Sequence, residues 1–153
     1  MARTDLSGDP ELLIGTYDGV SVSRSYLTWD LTPLSGRPVT SATLRVHQHW
    51  SASCTPRGWE VWSAPAADGG TRWANQPVAD RLRATSTETL GNGACAAGWT
   101  GVDVTDLVRA WTAAGAATGS VQLRASDELD PLGWKRLGAA ESTFPPQLEV
   151  TVG

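Results

Sequence analysis

The chain lacks most of what would carry it into a membrane or onto nucleic acid. No apolar run approaches the roughly 20 residues that span a bilayer. Charged residues make up 18% of the 153 positions, the formal net charge is −4, and there is no basic stripe, which argues against electrostatic binding to a phosphate backbone and so against a nucleic-acid partner. The opening M-A-R-T-D-L-S-G-D-P has no apolar core of the kind a signal peptide carries. No internal repeat is visible, so a propeller or solenoid is not expected. Phe and Tyr are scarce, at one and two, and eight Trp stand in their place. Tryptophan combines a large apolar area with a polar N–H, so it suits both cores and half-wet binding surfaces.

A chain of this length is by default one domain, able to bury about 70% of its unfolded surface. Sixteen Gly and nine Pro are spread along it and mark many turns without forming a linker or a low-complexity tract.

Two cysteines, Cys54 and Cys95, each precede tryptophan, in C-T-P-R-G-W-E-V-W (54–62) and C-A-A-G-W (95–99). Two cysteines can pair in only one way. A bridge between them suits an exported chain, where it stays oxidised, and closing about 40 residues would remove roughly 4 kcal/mol of denatured-state entropy. The alternative is two buried thiols acting as small hydrophobes. With a bridge, the chain reads as secreted or displayed at the cell surface. Its export signal would then lie outside this sequence, and residues 1–153 would be a single module of a larger secreted protein.

Short segments with period-two alternation recur. Residues 11–15 form a weak opening strand, and residues 24–31 put Leu27, Trp29 and Leu31 on one face and Tyr26, Thr28 and Asp30 on the other. Residues 41–50 place Leu44 and Val46 inward, with Trp50 on their parity, and Arg45, His47 and His49 outward. In 58–63, Trp59 and Val61 share a face and Trp62 takes the opposite one. Stretches 99–104, 120–126 and 146–152 complete an antiparallel sandwich with one wet face per sheet. Residues 105–115 break the pattern. Leu107, Val108 and Trp111 fall at helical spacing, with Thr105 or Asp106 as N-cap and Gly115 as stop. Such a helix would lie across one end of the sandwich with Trp111 as a plug.

In this order, R-S-Y-L-T-W-D-L-T-P-L, V-T-S-A-T-L-R-V, R-W-A-N-Q-P, V-D-V-T-D-L-V-R-A-W, V-Q-L-R-A-S-D-E, G-W-K-R-L-G-A-A-E and P-P-Q-L-E-V-T-V resemble DNRLRE-type domains over residues 5–152. The two cysteine segments are similar to copies in secreted actinobacterial proteins. The resemblance implies an all-β, jelly-roll-like antiparallel β-sandwich used as a non-catalytic accessory module. Such domains resemble carbohydrate-binding modules, and a related module family binds alginate. They often accompany concanavalin-like domains, wall-associated repeats or Rhs-type toxins. Trp29 stands where Phe is common and Trp59 where an aliphatic is common, and both remain apolar.

Four residues are candidates for contacting a polysaccharide or cell-wall glycan. Trp134, Lys135 and Arg136 fall in the connection between the last two predicted strands, flanked by Asp127, Glu128, Asp130 and Glu141. An indole covers the C–H face of a sugar while the cations donate to carboxylate or hydroxyl oxygens. The alternative packs Trp134 over the sandwich edge and pairs the cations with nearby acids. Trp62 is the fourth, pointing outward by alternation. Trp50 is expected to shield the disulfide. His47 and His49 leave one face but have no third ligand at metal-binding spacing, so a solvated strand face is expected and no metal site is assigned. Asp5–Asp9 and Asp127–Asp130 are Asp-rich without EF-hand spacing, so turns are expected there and structural calcium is the lesser alternative; no cofactor is assigned. No catalytic constellation is evident, and the chain is not expected to be an enzyme. The leading reading is a glycan-binding module, with neighbouring domains of its parent as further partners. The rival is a structural or protein-interaction domain of a cell-surface or Rhs-type toxin assembly with no glycan ligand.

Overall fold

A computed structural model describes residues 11–64, 79–139 and 143–153. The Asp5–Asp9 stretch, the R-W-A-N-Q-P segment at 72–77 and Glu141 lie outside the described residues.

The described residues form nine strands and one helix: β1 (Glu11–Ile14), β2 (Ser25–Asp30), β3 (Val39–Ser51), β4 (Trp59–Ser63), β5 (Arg81–Ser86), β6 (Gly98–Asp103), α1 (Thr105–Ala113), β7 (Thr118–Ala125), β8 (Lys135–Gly138) and β9 (Gln147–Val152). One sheet has the order β1-β8-β3-β6, with β9 also on β3; the other has the order β2-β7-β4-β5. All pairings are antiparallel. This pair of strand orders is the jelly-roll arrangement, in which two Greek keys close over one core.

Alternation explains which side chains fill that core. Leu44 and Val46 of β3, Trp59 and Val61 of β4, Val121 and Leu123 of β7 and Leu137 of β8 are all buried together. They come from the inner faces of both sheets, as face-to-face packing requires. At one end α1 inserts Leu107 and Val108. Its start differs from expectation: the N-cap position is Val104, which has no capping side chain, and the Asp103 carboxylate before it accepts from the Thr105 N–H at 2.9 Å in place of a cap from Thr105 or Asp106. Trp111 packs against the core and sits over Gly119, where a Cβ would approach the indole to 2.5 Å. Glycine at 119 makes room for the plug.

Two strands escaped the sequence reading. β5 is an edge strand with an Arg at its first and third positions, which hides its alternation. β8 occupies what was read as a connection, and it lies inside the first sheet between β1 and β3.

The Cys54–Cys95 disulfide is formed, with Cα atoms 5.8 Å apart. It ties the loop after β3 to the loop before β6.

Candidate functional site

The four residues expected to share a surface are separated by the sheets. In β8, Lys135 and Leu137 face the core and Arg136 faces solvent. Trp134 is buried too, with Tyr17 against its ring edge-on at a centroid distance of 5.5 Å. Lys135 is the chain's one lysine and has no exposed surface. Its Nζ donates to Thr89 Oγ1 at 3.1 Å. Burial, and then the nearby Arg57 cation, lower its pKa to about 8. The expected platform of Trp134, Lys135 and Arg136 therefore does not form, because Trp134 is buried against Tyr17 before the strand begins and β8 turns Lys135 inward. The remaining two candidates, Trp62 and Arg136, stand on opposite outer faces.

Trp62 belongs to the outer face of the second sheet. Tyr26 pairs with Gln122 and Gln122 with Trp62, so these side chains form one row across β2, β7 and β4, and Leu82 of β5 continues it. Gln122 is the organising group. Its carboxamide donates to Tyr26 Oη at 2.8 Å and accepts from Arg124 Nε at 2.6 Å, and it is buried in doing so. The Arg124 guanidinium lies over the Trp62 ring, 4.4 Å from its centroid, and the Trp62 indole N–H donates to Glu60 at 2.9 Å. Beyond Tyr26, Arg24 forks onto both carboxylate oxygens of Glu128 at 2.6 and 2.7 Å. Glu128 raises the pKa of Arg24, while burial raises that of Tyr26. The strip thus presents two rings, two guanidinium planes and two carboxylates, each fixed by a partner. Fixed polar planes beside aromatic faces suit a sugar, whose hydroxyls need aimed partners and whose C–H face needs a ring.

Arg136 belongs to the outer face of the first sheet. His47 and His49 leave that face together, as their spacing requires, but it is not a bare solvated face. The His47 ring is stacked on Phe144 at 4.1 Å and meets Trp99 edge-on at 5.4 Å, leaving it 8% exposed. The two histidines share a hydrogen bond between their Nδ1 atoms at 2.6 Å. Burial and the neighbouring His49 lower the pKa of His47. Trp50 departs from its expected parity. The ladder shifts register between Gln48 and Trp50, a β-bulge that turns the Trp50 ring outward, where Arg136 lies 5.7 Å from its centroid. Gln48 and Ser51 still point inward, both without exposed surface, and Ser51 Oγ bonds Gln48 Oε1 at 3.3 Å. Periodicity cannot reveal a bulge, and this one changes which tryptophan is available.

The acids at 127–130 are engaged within the fold. Asp127 and Asp130 accept from the backbone N–H groups of Leu129 and Leu132, Asp130 pairs with Arg57 at 3.2 Å, and Glu128 holds Arg24. Among the described residues no group of three His, Cys, Asp or Glu is arranged to hold a metal ion.

No curated protein matches the sequence at significance. A family model does, over residues 2–152, and an all-β sandwich carrying ordered aromatic and polar side chains on its outer faces is in keeping with it: the chain belongs to carbohydrate-binding module family 96.

Proposed function

We propose that this module binds polysaccharide on the outer face of the second sheet, through Tyr26, Trp62, Gln122 and Arg124, with Glu60 and the Arg24–Glu128 pair at its margins. One observation carries the reading. The buried Gln122 carboxamide is spent on holding a phenol and a guanidinium in place across three strands, an arrangement that the core does not need. Its role in binding is preorganisation: groups already fixed lose little entropy when a ligand arrives. The face is open rather than a deep pocket, so affinity for any one stretch of sugar is modest, on the order of micromolar or weaker. The charges on the strip balance, so hydroxyl recognition takes precedence over attraction to a polyanion. The module works by equilibrium binding and anchors a secreted or surface-displayed parent protein, for which the disulfide is suited.

Titration of intrinsic fluorescence with a soluble neutral glucan and a soluble polyuronate tests this. The expected result is a saturable change with at least one polymer and a loss of affinity at this face of about tenfold or more in Trp62→Ala, the scale of a buried aromatic anchor. Full retention of affinity in both Trp62→Ala and Arg124→Ala would remove this face from the reading.

A further inference from the structure

We propose that the outer face of the first sheet is a second polysaccharide-binding surface, carried by Trp50 and Phe144 with Arg136 beside Trp50, and that the module is therefore bivalent. The inference rests on the carbohydrate-binding reading of the chain but not on the Trp62 face.

The argument begins with the bulge. A regular β3 would direct Trp50 into the core beside Leu44 and Val46. The extra residue instead places His49 and Trp50 together on the outside, and Trp50 is 41% exposed. Bulges re-aim side chains at a local cost in ladder hydrogen bonds, and this one is braced by several independent contacts. Leu90 N–H donates to Gln48 Oε1 at 2.9 Å, Ser51 Oγ donates to Leu90 O at 2.7 Å, and the Asn92 side chain donates to Ser51 O at 3.1 Å. Gly91, with φ of +98°, passes so close that a Cβ would meet the backbone of His49 and Trp50 at 2.7 Å. The same loop carries Cys95 and is fastened to Cys54, just after the bulge. The loop closed by the disulfide thus grips the one irregularity that turns an indole into solvent.

Along β3 from that indole lies a second group of rings. Phe144 is 38% exposed, and it backs onto His47, His49 and Trp99. From His47 to Trp50 along β3 the strip runs about 10 Å, three residues at strand rise, enough for two linked sugar rings to lie flat. Arg136 stands beside Trp50, so a cationic fork is positioned for carboxylate or hydroxyl oxygens of a sugar seated on the ring. The exposed aliphatic side chains among the described residues, Val20, Leu82, Leu129 and Leu132, belong to other parts of the molecule. An open sheet face that offers exposed rings, with Arg136 at the Trp50 indole, fits an extended sugar polymer. Two such faces on opposite sides of one sandwich cannot be reached by one straight stretch of chain, so they engage separate stretches or separate chains.

The test compares Trp62→Ala, Trp50→Ala and the double variant, each with the same soluble neutral glucan and polyuronate, by calorimetric stoichiometry and by turbidity from cross-linking. Arg136→Ala serves as a second variant, since it removes the cation without deleting apolar surface. The unmodified protein is expected to cross-link the polymer it binds. Each single tryptophan variant should lose cross-linking and half its sites, and the double variant should lose binding by at least about tenfold relative to either single one. If Trp62→Ala alone abolishes binding, or if Trp50→Ala and Arg136→Ala both leave stoichiometry and cross-linking unchanged, the second surface is overturned and the first stands. Loss in Trp50→Ala with none in Trp62→Ala overturns the first face and keeps this one. No binding of either polymer by the folded, unmodified protein overturns both.

Discussion

On the face formed by β2, β7, β4 and β5, the pairing of β2, β7 and β4 runs without a shift and puts Tyr26, Gln122 and Trp62 in one row, Leu82 follows across a register shift in β5, and one buried carboxamide orders the polar groups among them. On the opposite face, Trp50 reaches solvent because the ladder is broken, and a disulfide-closed loop holds the break in shape. The first surface is organised by side chains lying on three strands in continuous register. The second is organised by covalent and backbone constraints beneath it. The two should therefore fail differently when the molecule is perturbed, even though their chemistry, aromatic rings beside arginine, is similar.

The largest perturbation is to open the disulfide. Reduction, or Cys95→Ser, releases a loop of 41 residues' separation and should lower stability by roughly 4 kcal/mol on the chain-entropy account. Thermal unfolding followed by circular dichroism with and without reductant gives this directly. The comparison is sharpened by measuring binding below the lowered melting temperature: sites dependent on Trp50 should weaken, while sites dependent on Trp62 persist. Equal weakening of both faces would mean that the loop supports the whole sandwich and not the bulge.

What the sequence disclosed follows from the same contrast. The sandwich, the helix and the disulfide were legible because alternation, helical spacing and cysteine arithmetic are local signals, and Trp62 could be placed outward by parity alone. Trp50 could not, since one inserted residue reverses parity and leaves no mark in composition. Lys135 was misplaced for a different reason. A cation next to Trp and Arg reads as surface, and Gly133 suggests a loop, yet Lys135-Arg136-Leu137 alternates as a strand whose inward position is filled by a lysine. Tyr26, Gln122 and Arg124 were seen only as strand residues, because three strands distant in sequence must be aligned before their row exists.

The second perturbation uses that buried lysine, which underlies the Trp50 face, one residue before Arg136. Its folded pKa of about 8 lies below the ordinary lysine value of 10.5, so the unfolded chain binds more protons between those values. Stability should therefore rise with pH across this window, at up to roughly 1 kcal/mol per unit, and the full cost of burying the group should be present below pH 8. Denaturant unfolding at pH 7.5 and pH 9.5 measures the slope. Lys135→Met keeps the length of the side chain without the charge, so it should flatten the slope and raise stability at pH 7.5. Loss of stability in that variant would show that the bond to Thr89 outweighs the cost of burying the ammonium group.

The smallest expected effect tests the Trp62 face by itself. Gln122→Ala removes the donor to Tyr26 and the acceptor for Arg124 but leaves the backbone ladder of β7 intact. Both partners are half-buried and can turn toward water, so the stability cost should be about 1–2 kcal/mol rather than that of a core cavity. Affinity at the Trp62 face should fall several-fold, because Tyr26 and Arg124 must then be ordered by the ligand itself. Tyr26→Phe separates the two bonds: it removes the acceptor for the Gln122 carboxamide N–H and keeps Gln122 Oε1 for Arg124, so its affinity should lie between those of the other two proteins. Sites dependent on Trp50 should not change in either variant, since this network lies on the outer face of the other sheet. If instead both faces lose affinity together, the two surfaces are coupled through the core, and the distinction between a face ordered by side chains and a face ordered by a loop no longer holds.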